Sequence, residues 1–195
     1  MFEKERFIED CKAAMAEGRE AQKAVRELVS EAVSDPAAVV RELGVPEHAG
    51  VTPLYSGPQL TVIHFVWAPY MTLLPHNHNM CAVIGIYDGR EDNLFWRQLP
   101  EAKADGAEIE AAGADSLGPG EVATLGRDVI HSVANPLGKM TSTIHVYGGD
   151  FFNPPQARSQ WRHESLIEEP WDMDNTRATF RAAEARYRAG LEAGA

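Results

Sequence analysis

The sequence predicts an all-β core, an antiparallel sandwich or barrel, with helices flanking it at both ends of the chain. Between residues 52 and 147 the apolar periodicity is that of strands, in short runs separated by turn residues with no helical pattern between them. Before residue 45 and after residue 174 the apolar residues recur instead at three-and-four spacing, as amphipathic helices require. A chain of 195 residues suffices for one well-buried core, so we take one domain overall: a helical extension over 1–48, a barrel over 49–150, and an irregular segment with a helix packing on the barrel over 151–195.

In order along the chain, Phe7, Cys11, Ala14 and Met15 form one helical stripe and Val25, Leu28, Val29, Ala32 and Val33 another, with Gly18 separating them. Asp35-Pro36 supplies an N-cap and a proline at the first position of a third helix, which Gly44 stops. The region is expected to pack over a barrel edge. Residues 60–67 open the strand region with a run of β-branched and aromatic side chains. Further strands are expected over 82–87, 93–98, 107–111, 122–125, 131–134 and 141–147, with turns at Asp88-Gly89, Gly118-Pro119-Gly120 and Asn135-Pro136. The last helix is expected to start at Asp174 or Thr176 and to carry Phe180, Ala183, Tyr187 and Leu191 on its apolar stripe.

A net charge of -11, with no local basic cluster, argues against nucleic acid or an anionic membrane as partner. No apolar run approaches the length of a spanning helix, and the charged N-terminus lacks the features of a signal peptide, so a cytoplasmic location is expected. Cys11 and Cys81 lie in different predicted elements, which fits a reducing compartment better than a disulfide framework. The sequence leaves the oligomeric state open, a homo-oligomer included.

The chemistry centres on His76-Asn77-His78 at the head of an apolar run. On a strand, residues two apart share a face, so both imidazoles can meet one ion. A second segment, Gly120 through His131 to Asn135, brings turn glycines, a strand and a matching third ligand, His131. Together these segments resemble the two motifs of the cupin superfamily over roughly residues 50–150, which implies a double-stranded β-helix (jelly-roll) barrel. The glutamate that many cupins place four or five residues past the second His is here Ala82 or Val83, so no acidic ligand is expected. Three neutral imidazoles would leave an octahedral ferrous ion open on one face for an anionic ligand and dioxygen, whereas zinc would favour a tetrahedral site with one water. The residues themselves do not choose between these metals.

Thr143, His145 and Tyr147 then fall on one strand face just after the third ligand, an arrangement similar to the Ser-x-His-x-Tyr motif of the thiol dioxygenases. That resemblance implies an Fe(2+) cofactor on His76, His78 and His131, with Tyr147, His145 and Thr143 as a hydrogen-bonded catalytic chain. It also implies a small thiol substrate, of the cysteine or mercapto-acid kind, oxidised by O2 to its sulfinate. Some members crosslink a cysteine to the motif tyrosine; that place is held by Ala82, and Cys81 is one residue off, so the bacterial type without the crosslink is the nearer likeness. Arg158 stands where these enzymes carry an anion-binding arginine, with Arg162 as its rival. His64 lacks a partner at ligand spacing and is expected to be structural. The alternatives are another metal-dependent cupin enzyme, a dioxygenase, isomerase or lyase acting on a small acid, or a non-catalytic metal- or ligand-binding cupin.

Overall fold

The computed structural model describes residues 2–193. Helix α1 (Lys4–Met15) gives way to a 3-10 turn over Gly18–Glu20, where Gly18 adopts φ +69, and α2 (Ala21–Val33) follows. Helix α3 (Pro36–Leu43) has the predicted bounds, because the Asp35 side chain accepts the Ala38 N–H at 3.0 Å and Gly44 turns left-handed at φ +85. The strands are β1 (Gly50–Ser56), β2 (Thr61–Trp67), β3 (Thr72–Asn77), β4 (Ala82–Asp88), β5 (Glu91–Gln98), β6 (Ile109–Leu117), β7 (Val122–Leu125), β8 (Ile130–Ala134), β9 (Thr141–Tyr147), β10 (Ser159–Trp161) and β11 (Glu168–Pro170), and helix α4 (Met173–Ala193) is the last described element.

The strands build two sheets, β1-β2-β9-β4-β7 and β11-β10-β3-β8-β5-β6, in which every pairing is antiparallel. The chain passes from one sheet to the other after β2, β3, β4, β6, β7, β8 and β9, the winding of a jelly-roll double-stranded β-helix. Alternation along each strand separates two cores. On β9, Ile144 and Val146 face outward with Val62 and Val83 and pack under α1, α2 and α3. Tyr147 faces inward with Ile63, Phe65, Trp67 and Ile84, and this interior core also receives Phe180 of α4. The helices sit close: a Cβ on Gly85 of β4 would lie 2.4 Å from Val29 Cγ1, and Gln22 of α2 donates to the carbonyls of Ala82 and Leu125.

Several expectations need correction. His76 and Asn77 end β3 rather than opening β4, and His78 follows just past the strand; the chain turns through Asn79, at φ +55, before β4 begins. Strand β5 starts at Glu91, two residues early, and β6 runs on to Leu117. The segment after Tyr147 contributes β10 and β11, so it is not wholly irregular. Leu191 is 57% exposed and drops out of the α4 stripe. No described helix is long and apolar enough to cross a membrane.

His64 lies on the outer side of β2, its Nε2 2.6 Å from the Tyr87 hydroxyl. Burial holds its pKa down to about 4, against 6.5 for an ordinary histidine. Between those values the unfolded chain takes the proton and the folded one does not, so stability is full above pH 6.5 and is lost as the pH falls toward 4. We expect roughly 3 kcal/mol of stability to disappear through this residue between pH 7 and pH 4. Urea denaturation of His64→Gln, which cannot titrate, should show a correspondingly flatter pH dependence. Identical curves for variant and wild type would refute the assignment.

Candidate metal centre

Strands β3 and β8 are neighbours in the six-stranded sheet, and His76 pairs directly with His131. His78, two residues past His76, turns to the same face. The three rings converge through Nε2, with 3.2 Å between His78 and His76 and 3.3 Å between His131 and His78. Each outer nitrogen of His76 and His131 has an acceptor: His76 Nδ1–H donates to the Leu74 carbonyl at 2.8 Å, and His131 Nδ1–H to Asn93 Oδ1 at 2.7 Å. Those bonds leave the Nε2 lone pairs of both rings facing inward. Lone pairs this close repel one another unless a cation lies between them, and the spacing suits nitrogens about 2.1 Å from a common ion.

Burial pushes His76 down to about 4 and His78 and His131 well below the ordinary histidine value, with the charge of Arg158 adding to the effect at His76 and His78. All three are therefore neutral at pH 7 and able to ligate. Among the described residues this is the group of His, Cys, Asp or Glu close enough to hold a metal, and it contains no carboxylate. The donor set fits a divalent transition metal.

The side chains of Phe65, Trp67, Leu73, His145, Tyr147 and Trp171 help to wall a cavity of only about 10 Å³ beside the three histidines. It is closed partly by Met173 and Thr176 at the start of α4. Tyr147 lies edge-on to His78, ring centroids 5.1 Å apart, and its hydroxyl is 3.0 Å from His145 Nδ1. Burial raises the Tyr147 pKa, so the phenol is neutral.

The expected link from Thr143 to His145 is absent: Thr143 Oγ1 is buried without a hydrogen-bond partner. The second nitrogen of His145 looks across the barrel instead, with Nε2 3.5 Å from Glu91 Oε2. Glu91 and Asn93 were missed in the sequence. Their alternation with Phe95 on β5 was the available signal, but starting that strand at Asn93 left Glu91 in a turn.

Arg158 is buried at 6% exposure, and its Nε and Nη1 have no hydrogen-bond partner. Its guanidinium lies 4.1 Å from the Phe151 ring centre and 5.1 Å from that of Trp171, two of the cavity's walls. Burial lowers its pKa to about 10, which leaves it cationic at neutral pH. Arg162 is spent elsewhere, paired on the surface with Glu169 at 2.7 Å.

Ala82 pairs with Tyr147 across β4 and β9, so its side chain is the one beside the phenol. Cys81 is a free thiol on the other side, where a Cβ on Gly148 would come within 2.5 Å of its sulfur and 3.1 Å of Met15. Asn135 holds the turn after β8, donating to the carbonyls of Trp67, Ala68 and Lys139, and is not part of the site.

No protein-family model matches the chain. Solved structures to which it is similar include oxalate decarboxylase from Bacillus subtilis, at 14% identity and TM-score 0.39, over 53% of this chain and 24% of that one. Others are an RmlC-like cupin family protein from Methanocaldococcus jannaschii, at 13% identity and TM-score 0.43 over 56% and 87% of the two chains, and a protein from Bacillus halodurans, at 14% and 0.43 over 56% and 74%. The chain thus spans about a quarter of the decarboxylase it matches. By the order and pairing of its strands it is a cupin-like jelly roll with flanking helices, and its buried three-histidine group can hold a metal ion.

Proposed function

We propose that this protein is an iron-dependent thiol dioxygenase that converts a small, carboxylate-bearing thiol and O2 into the sulfinate. One observation carries the reading: a three-histidine group without a carboxylate faces the same closed cavity as the Tyr147–His145 pair, with a partnerless buried arginine just behind the wall. Bound ferrous iron would supply the redox centre at which thiolate and dioxygen react. In the overall reaction both oxygen atoms join sulfur, which gives up the four electrons that dioxygen takes.

The protein's own residues supply position and exclusion. Arg158 offers a substrate carboxylate two N–H donors that nothing else satisfies, and a buried unpaired cation gains more from such a partner than an exposed one. The cavity as it stands admits little more than an ion or a water, so Phe151 and Trp171 must part for substrate to reach Arg158. Closure afterwards keeps bulk water from the reacting sulfur. Tyr147, held by His145, is placed to exchange a hydrogen bond with the substrate or oxygen as charge develops.

Tyr147→Phe keeps the ring packing and deletes only the hydroxyl. Iron content and fold should survive, with melting lowered only by the roughly 1–3 kcal/mol of leaving His145 Nδ1 without its partner, while kcat falls about 10- to 100-fold, as loss of one preorganised hydrogen bond of about 1.5–3 kcal/mol predicts. Wild-type turnover would make the phenol a bystander. The function itself is tested by metal content and by oxygen uptake with cysteine, cysteamine, 3-mercaptopropionate and mercaptosuccinate. Iron binding without uptake on any of them would favour a different cupin chemistry or a passive binder.

A further inference from the structure

We propose that Glu91 is the positioning residue of this site, holding the metal ligand His131 through Asn93 and the Tyr147 phenol through His145. The inference rests on the three histidines being a metal site and is independent of which substrate is used.

Glu91 opens β5 and is fully buried, at 0% exposure. Placing a carboxylate inside an apolar barrel is costly unless several donors converge on it. Among the described residues it has no Lys or Arg partner, and the groups that face it are Asn93 and His145. Asn93 Nδ2–H donates to Glu91 Oε1 at 3.1 Å, which turns Asn93 Oδ1 toward His131. An amide oxygen only accepts, so the His131 hydrogen sits on Nδ1 and its Nε2 lone pair faces the other two rings. On the other arm, Glu91 Oε2 and His145 Nε2, both buried and neither with a hydrogen-bond partner, face each other at 3.5 Å, close enough for the carboxylate charge to favour the hydrogen on that nitrogen and leave Nδ1 to the Tyr147 hydroxyl at 3.0 Å. One carboxylate therefore reaches both walls of the site, through a hydrogen bond at Oε1 and a charge contact at Oε2, because both of its ends are acceptors.

That last point makes Glu91→Gln informative. A glutamine has the same shape but one acceptor end and one donor end, so it can satisfy only one arm. Either Asn93 turns over and His131 loses its Nδ1–H, or His145 loses its Nε2–H. The test uses the full-length protein with Co(II) titration for affinity and nitrogen-15 histidine NMR of the Zn(II)-loaded form for the ring hydrogens.

In the wild type, hydrogens are expected on Nδ1 of His131 and Nε2 of His145. A His145 without a hydrogen on Nε2 would overturn the proposal with no variant needed, should Glu91→Gln fail to fold. In Glu91→Gln we expect either a 10- to 100-fold loss of Co(II) affinity or a His145 ring that has moved its hydrogen to Nδ1. Wild-type Co(II) affinity together with an unchanged His145 ring would remove Glu91 from the site. Failure of the wild type to bind Co(II) or Zn(II) at all would instead bring down the metal reading, and this proposal with it.

Discussion

His131→Ala should lose metal affinity by more than about 100-fold, beyond what loss of an outer hydrogen-bond partner does, and with it essentially all turnover. Three ligand nitrogens lie within 4.8 Å of one another, and removing one leaves two imidazoles that cannot enclose an ion in the same way. The barrel should survive. Its interior core of Ile63, Phe65, Trp67, Ile84 and Phe180 is independent of the ligands, and the local cost is a small cavity plus an Asn93 oxygen left without its donor, roughly 1–3 kcal/mol each. Metal analysis beside circular dichroism checks both halves. Full iron occupancy in a folded His131→Ala protein would mean that another side chain completes the site.

Arg158→Gln is the second large effect expected. Two charge-assisted N–H donors vanish where a substrate carboxylate would dock, which predicts a fall in kcat/KM of about 100-fold or more for mercapto acids. A thiol without a carboxylate, such as cysteamine, should be affected little. Arg158→Lys should recover part of the loss, since it keeps the charge but not the planar fork. The same fall for cysteamine as for 3-mercaptopropionate would assign Arg158 to packing between Phe151 and Trp171 and leave the carboxylate without a partner.

The order of these effects follows from what each residue touches, and so does the extent to which the sequence foretold them. His76, His78 and His131 were readable because strand alternation and turn glycines suffice to bring two short segments to one face. The α3 boundaries were readable because Asp35, Pro36 and Gly44 act locally. Glu91 was not. Its meaning lies in contacts with Asn93 and, across the barrel, with His145, and a single charged residue beside the Asp88-Gly89 turn has the pattern of a solvated loop until the strand register is known.

Thr143 shows the opposite error. Spacing along β9 placed it on the right face, but sharing a face does not make a bond, and the ring it was expected to orient faces Glu91. β10 and β11 escaped because each is three residues long; β10 joins the sheet through Gln160 opposite His76, and β11 pairs with β10. Arg158 was placed by resemblance alone. Its burial, its orphaned N–H groups and its two aromatic neighbours emerge only in the folded chain.

The central claim is that both atoms of dioxygen end on the sulfur of a small thiol. Incubating the iron-loaded protein with 3-mercaptopropionate or cysteine under oxygen-18 gas, and weighing the product by mass spectrometry, tests it directly. The account predicts a sulfinate carrying two oxygen-18 atoms, formed in step with oxygen uptake and abolished in His131→Ala. A thiol recovered unchanged, or only its disulfide, with no labelled sulfinate from any of the four candidate thiols, would contradict it.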